Sequence, residues 1–490
     1  MLEIVGAGEL GDLLREDLQW PEVLSLHRRA LAIVEQLAAT DPDNLNLQRD
    51  IYLTSNKIAE VHAITLAHEE ALASYRKGLT LIEGLIAKYP DNVGLLADLA
   101  FSYGRMGITL SVMRRHDEAL ASHRQALALR QQVAAAQPND TSRQRDVFVS
   151  LSRVAEELAA LGRNAEAIDG FRKAIAVSSP LAAGDPRNAQ WQGDLIGAYD
   201  EIGRLLIANG DVAQGIEAYR HALAGRERRL AIAPGNLQWQ ADLASSFLFV
   251  GSALLTAGRV DEAIDTFRKS TPVFDKLIAA ESDNAARMRQ LAGVYLRIGD
   301  LLGTRNRSSE ARESYERCVT LREKLAAREP DKIGPQRDLA AAIDRVADTA
   351  KVLGERQAAL SSYRRELAVR ERIMAAQPDN VAFQREFVLT LSLIAQILYE
   401  TEQREQGQRE YLRAFAMVEK YVAQSPDDAL LQGDLAIGLY VLAYYLDDDP
   451  APRVERAREI VRRLEAQGKL TPDRKAYFAA LEQRLADKPK

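Results

Sequence analysis

The sequence predicts an all-α, right-handed superhelical solenoid of antiparallel helix pairs. Three observations predict it. First, Pro42, Pro90, Pro138, Pro186, Pro234, Pro330, Pro378 and Pro426 fall on one step of 48 residues (90 − 42, 138 − 90, and onward), with Ser282 in the one gap. A fixed step over most of a chain marks one supersecondary unit copied end to end. Second, apolar residues recur at helical spacing inside every copy. Third, Ala, Leu, Glu, Arg and Gln dominate the composition, which favours helix. Such an array grows by addition, so 490 residues need not imply several separate cores.

With each proline as position 0, the repeats are numbered from Pro42. Position 2 carries Asn44, Asn92, Asn188, Asn236, Asn284, Asn380 or Asp428, side chains that cap a helix N-terminus. Helix A is expected from position 3 to 22, with apolar residues at 9, 13, 16, 17 and 20 forming one face. In repeat 6 these are Leu291, Tyr295, Ile298, Gly299 and Leu302. Position 24 holds Gly162, Gly210, Gly258, Gly354 or Asn306, residues that tolerate the left-handed conformation at a helix end. Helix B is expected from 26 to 46. It carries a small residue at 29 (Ala71, Ala119, Ala167, Gly215, Ala263, Ala311, Ala359, Gly407) and an aromatic at 33 (Tyr75, Phe171, Tyr219, Phe267, Tyr315, Tyr363, Tyr411, with His123 in repeat 2). Small beside large is how two helices interdigitate closely.

Tyr295-x2-Ile298-Gly299-x2-Leu302, Ala311-x3-Tyr315 and Pro330 resemble the tetratricopeptide (TPR) signature W-x2-L-G-x2-Y…A-x3-F…P. The departure is length, 48 residues where the family has about 34. The spacing places seven extra residues before the first aromatic and seven after the small-aromatic pair, so both helices lengthen at the open end of the hairpin, to about 30 Å each. The resemblance implies a concave binding face lined by helix A. Long arrays of this kind are similar to bacterial TPR proteins joined to kinase, NTPase or other signalling modules.

Residues 1–41 read as a partial repeat, with Val23, His27 and Leu31 on a helix B face and Gly11 in a helix A small slot. Residues 42–425 make eight repeats. Residues 426–490 form a divergent last repeat and a capping helix, which Thr471-Pro472-Asp473 starts as N-cap with proline at N1 and in which Tyr477, Phe478, Leu481 and Leu485 turn inward. About 21 helices are expected. Pro272 should kink its helix B and Pro180 should shorten another.

A net charge of −6 argues against a nucleic-acid partner, which would need a basic stripe. The single cysteine, Cys318, excludes an internal disulfide framework and fits a reducing cytoplasm. No signal peptide and no run of about 18 apolar residues is visible, so no membrane role is expected. The histidines do not assemble: His27 and His123 fill aromatic core slots, His62 an apolar slot, and His68, His116 and His221 are isolated. No catalytic, cofactor or metal motif is present, and Cys318 is placed to pack. The recurrent acid at position 8 (Asp50, Asp98, Asp146, Asp194, Asp242, Asp338, Glu386, Asp434) suggests a metal row, but a residue repeated in every copy serves the repeat itself. Counting turns from the proline loop pairs it with the arginine at position 40 of the preceding repeat: Arg130–Asp146, Arg226–Asp242, Arg322–Asp338 and Arg370–Glu386.

The expected function is non-catalytic binding of a protein or peptide in the concave groove, as a scaffold or the sensing arm of a signalling system. Positions 7, 11, 14, 18 and 21 share the side of helix A that would line the groove. The candidate contacts are Arg49, Asn56, Glu60, Arg145, Ser152, Glu156, Asp200, Arg204, Leu248, Arg289, Leu296, Asp300, Arg337, Asp344, Asp348 and Arg385. They give a basic edge near the prolines and a more acidic edge near the hairpin tips, with Leu248, Leu296, Phe101, Val149, Phe249 and Tyr440 as apolar contacts between. The alternative is homo-oligomerisation through an N-terminal end whose first helix lacks its cap.

Overall fold

A computed structural model describes residues 20–281, 283–401, 403–446 and 450–487. Among them are twenty α-helices and no strand. They fall into two compact units that meet in sequence at Arg259.

The first unit contains α1 (Trp20–Thr40), then the pairs α2 (Leu45–Ile64) with α3 (His68–Lys88), α4 (Val93–Val112) with α5 (His116–Ala136), α6 (Thr141–Ala160) with α7 (Asn164–Gly184), and α8 (Ala189–Ala208) with α9 (Val212–Ile232), and last α10 (Leu237–Thr256). The second contains α11 (Val260–Ala280), the pairs α12 (Ala285–Thr304) with α13 (Ser308–Arg328), α14 (Ile333–Val352) with α15 (Arg356–Ala376), α16 (Val381–Glu400) with α17 (Arg404–Gln424), and α18 (Ala429–Tyr445) with α19 (Ala451–Ala466), and last α20 (Pro472–Ala486). Helix A and helix B therefore occupy positions 3–22 and 26–46 of each full repeat. The helix A expected in residues 1–41, Gly11 and the N-terminal end on which self-assembly would rest lie outside the described residues, as does Ser282.

Local chemistry fixes these bounds. Asn44, Asn92, Asn188, Asn236, Asn284, Asn380 and Asp428 each accept backbone N–H bonds from the first turn of helix A, and Asp140 does so for α6. At the other end the chain reverses through a residue with positive φ: Gly162 (75°), Gly210 (88°), Gly258 (71°), Gly354 (75°) and Asn306 (57°). Leu66 (62°) and Arg114 (60°) do the same in repeats 1 and 2 despite their side chains. The turn is closed by backbone bonds such as Arg163 N to Leu158 O at 2.8 Å, which satisfy carbonyls left over at the helix end.

The small-aromatic pairing holds the hairpins shut. A methyl placed on Gly203 of α8 would come within 2.8 Å of the Tyr219 ring of α9, and one on Gly299 would collide with Tyr315. Both glycines exist to let an aromatic lie flat on the neighbouring backbone. Tyr75, Phe171, Phe267, Tyr315, Tyr363 and Tyr411 are buried at this slot, and Val23 and His27 fill the equivalent face of α1. His123 is buried too, and burial pushes its pKa down to about 4. Cys318 packs in the core with its thiol pushed up to about 11, a poor nucleophile. A second device was not anticipated. Glutamine recurs at position 6, and Gln48, Gln240, Gln336, Gln384 and Gln432 donate from Nε2 to the carbonyl of their own repeat's proline. It ties the inter-repeat loop to helix A at the open end.

Two expectations are corrected, those for Pro180 and for α20. Helix α11 runs 21 residues across Pro272. Proline removes the N–H that would bond the Arg268 carbonyl, and the Thr271 hydroxyl takes that carbonyl at 3.0 Å. Pro180 does not shorten α7, which also runs 21 residues. In α20 Phe478 alone is fully buried; Leu481 and Leu485 are half-buried, and Tyr477 is 49% exposed. Among the described residues one helix, α16, is long and apolar enough to cross a membrane by length and composition, with mean hydropathy 1.4, where no such run was expected. Half of it is buried, with Phe383, Phe387, Leu391, Ile394 and Leu398 inside the stack.

Candidate functional site

The position 7 arginines and position 8 acids form a ladder between successive A helices. Arg49 bonds Asp98 through Nη2 to Oδ1 at 3.1 Å, and Arg145 bonds Asp194 through two nitrogens at 2.8 and 3.1 Å. Arg385 bonds both oxygens of Asp434, and Arg337 reaches Glu386 at 3.5 Å. The basic edge expected along the groove is thus largely neutralised by the next repeat. Arg289 takes Glu329 at 3.5 Å. An Arg145→Ala variant is expected to lose about 1–2 kcal/mol in urea unfolding, since a half-buried forked pair is lost. A double-mutant cycle with Asp194→Asn should show most of that loss as coupling. Zero coupling would return these arginines to ligand binding.

The predicted pairing of position 40 with position 8 is overturned in three of four cases. Arg370 does bond Glu386 at 2.5 Å. Arg130 and Arg322 reach only the backbone carbonyls of Asp146 and Asp338. Arg226 turns to Asp200 at position 14 of its own repeat and to Ser246 at 3.0 Å, while Asp242 pairs with Arg229 at 2.8 Å. Counting turns gives the level along the axis but not the oxygen taken: Arg130 and Arg322 reach the next repeat's main chain, and Arg226 turns to the A helix of its own hairpin.

Of the remaining candidates, Asn56 is buried and bonds Ser102 at 3.0 Å. Glu60 takes Arg105 at 3.1 Å, Glu156 takes Arg153 at 2.7 Å and Arg204 takes Glu201 at 2.6 Å. Asp300 accepts from the Tyr315 hydroxyl at 2.8 Å, and Asp348 from Tyr363 at 2.5 Å. Burial, together with these bonds, holds both phenols well above the usual tyrosine range. Ser152, Asp344, Leu248 and Leu296 are half-buried. Tyr440 is corrected: it is buried in the core, and its hydroxyl donates to Glu482 at 2.6 Å.

An apolar cavity opens in the second unit. Helices α16, α17, α18 and α20 enclose a cavity of about 430 Å³ on the helix A face. From α16 it takes Arg385, Leu389, Ser392 and Gln396, which are positions 7, 11, 14 and 18 of repeat 8. Tyr411, Phe415 and Val418 form its floor, Ile437, Val441 and Tyr445 one wall, and Tyr477, Leu481 and Arg484 the rim. Leu389 is 61% exposed. The charges at its edge are spent: Arg385 on Asp434, and Arg484 on the Tyr445 hydroxyl at 3.2 Å and over the Tyr444 ring at 4.7 Å. Such a cavity accepts an apolar side chain. Among the described residues no cluster of His, Cys, Asp and Glu is arranged to hold a metal.

Tetratricopeptide repeat family models match residues 100–137 and 292–325. The chain is a tetratricopeptide repeat protein. The second match leaves out the first two turns of α12 and the end of α13, the part lengthened at the open end of the hairpin. No curated protein matches the chain in sequence. Among solved structures, BtubC (BKLC) from P. vanneervenii is similar at 18% identity over 54% of this chain and 93% of that one, with a TM-score of 0.41. The C-terminal part of a TPR repeat-containing protein from Cytophaga hutchinsonii is similar at 14% identity over 66% and 96%, TM-score 0.39. The apo form of RapI is similar at 14% over 66% and 99%, TM-score 0.37. TPR repeats are in general a non-catalytic protein-interaction scaffold.

Proposed function

We propose that this TPR protein binds a protein or peptide on its helix A face, as the docking or sensing arm of a cytoplasmic signalling assembly, without catalysis or a cofactor. The observation that carries this reading is the apolar cavity between α16, α17, α18 and α20. Its aromatic floor and exposed Leu389 and Tyr477 offer an anchor site for one large apolar side chain of a partner, the kind of central contact that dominates interface energies. The paired arginines and acids around it exclude water and fix orientation more than they add affinity.

The test pairs Leu389→Asp with Tyr477→Ala, two exposed positions whose change should leave the fold intact. Immobilised wild type should retain a partner that mass spectrometry identifies. The segment of that partner that binds should then lose at least about tenfold in affinity for the double variant, about 1.4 kcal/mol. Equal affinity for both proteins would move the binding surface off this cavity.

A further inference from the structure

We propose that repeat 2 holds a binding slot for a carboxylate, formed by Arg130 of α5 and by the absence of a side chain at Gly104 of α4. The argument is an internal comparison. In repeat 4, Arg226 at position 40 grips the Asp200 carboxylate at position 14 with both terminal nitrogens, and its Nη1 also bonds Ser246 at 3.0 Å. In repeat 2, Arg130 occupies the same place and keeps the same hydroxyl bond, to Ser150 at 2.9 Å, plus the Asp146 carbonyl at 3.2 Å. Its position 14 partner is glycine. A methyl built on Gly104 would meet one neighbour within 4 Å, Nη2 of Arg130 at 3.4 Å. The fork that holds Asp200 in one repeat therefore faces unfilled space in the other.

The surroundings say what would enter. Arg130 borders a cavity of about 380 Å³. The other charges lining it are matched: Arg49 bonds Asp98, and Arg143 bonds Asp146 at 3.5 Å. Arg130 is the cation of the lining with no carboxylate in salt-bridge contact; it meets Asp146 through the backbone carbonyl and feels that residue's charge from further away. It is also half-buried, and desolvation pushes its pKa down against the opposing pull of Asp146. Beside it stand Leu53, 39% exposed, and Phe101, 43% exposed. The chemistry is that of a carboxylate carried next to an apolar group: an acidic side chain, or the C-terminus of a peptide ending in an apolar residue. Where repeat 5 has Phe274 and Leu248 at positions 40 and 14, the pair has changed together to an apolar one. Repeat 6 sets Arg322 against Leu296, so what distinguishes Arg130 is that no side chain stands opposite it at position 14. The slot rests on the reading that this face takes peptides, but it lies in the first unit, apart from the Leu389 cavity.

Ligand-detected NMR of the full chain with 3-phenylpropionate and its amide, each at millimolar concentration, tests the slot alone. The carboxylate is expected to bind at least about tenfold more tightly than the amide. Gly104→Asp should abolish that preference while keeping Arg130, and should raise the melting temperature, because the new carboxylate takes the place that Asp200 takes in repeat 4. Arg130→Gln should lose the preference too. N-acetyl-Phe-Glu-amide and N-acetyl-Gln-Phe with a free C-terminus then distinguish a side-chain source from a terminal one, and preference for either supports the slot. Equal binding of acid and amide, no binding of the acid, or binding unchanged in Gly104→Asp would overturn it. None of these results would alter the capture experiment at Leu389 and Tyr477, so the two readings fail separately.

Discussion

Replacing Arg370 with Met is expected to cost about 3–5 kcal/mol at pH 8 and much less at pH 5, because it strands a buried carboxylate. Glu366 lies fully buried in α15. Its Oε1 accepts from Arg370 Nε at 2.5 Å and from the Thr390 hydroxyl at 3.0 Å, and Oε2 has no hydrogen-bond partner. Burial pushes its pKa up to about 7, and nearby Asp344 adds to the rise, while Arg370 and Thr390 oppose it. The folded state therefore holds this proton more tightly than the unfolded chain, whose carboxyl titrates near its ordinary value of 4.5. Glu366 contributes stability that is full below about 4.5 and is lost as pH rises through about 7. Asp344, also raised by burial, acts in the same direction. Without Arg370 the carboxylate can escape its unpaired charge only by binding a proton, which is easy at pH 5 and hard at pH 8. Urea midpoints of wild type, Arg370→Met and Glu366→Gln at the two pH values check this. Glu366→Gln should flatten the fall between pH 5 and pH 8. A penalty for Arg370→Met that is the same at both values would show that Glu366 carries no titrating charge here.

The sequence made the helices legible because their limits are set within a few residues. An Asn two places after proline caps helix A whatever lies elsewhere in the chain, and a left-handed residue at position 24 ends it. Leu66 and Arg114 show that the hairpin geometry imposes that conformation even where the residue does not favour it. The arginines were harder to read because their partners lie across the repeat boundary. Arg145 and Asp194 stand 49 residues apart, and Arg289 is likewise followed by Asp338 yet bonds Glu329, so the spacing alone does not name the partner. Read one repeat at a time, the same arginines look like a basic groove. The lining of the Leu389 cavity was half visible, since positions 7, 11, 14 and 18 of α16 do face it. Its closure was not, because that depends on α20 lying against α18, with Arg474 reaching Asp434 at 3.3 Å and Tyr477 left over the opening.

Changing Gly203 to Val is expected to destabilise the first unit by about 2–3 kcal/mol, the upper part of the range for forcing bulk into a packed core. The added Cβ would stand 2.8 Å from Cδ1 and 2.9 Å from Cε1 of Tyr219. That ring cannot swing away freely, because Phe249 of α10 stacks on it with centroids 5.9 Å apart. The collision can be relieved only by parting α8 from α9, which would open the hairpin and expose Ile202, Leu206 and Ile216 to water. Tyr219→Ala removes the obstacle at the cost of a cavity, so the two changes together should cost clearly less than their sum. Urea unfolding of the two single variants and the double variant measures the coupling. Strict additivity would mean that the glycine serves backbone freedom alone, and that the small-aromatic pair is not what brings the two helices of the TPR hairpin into contact.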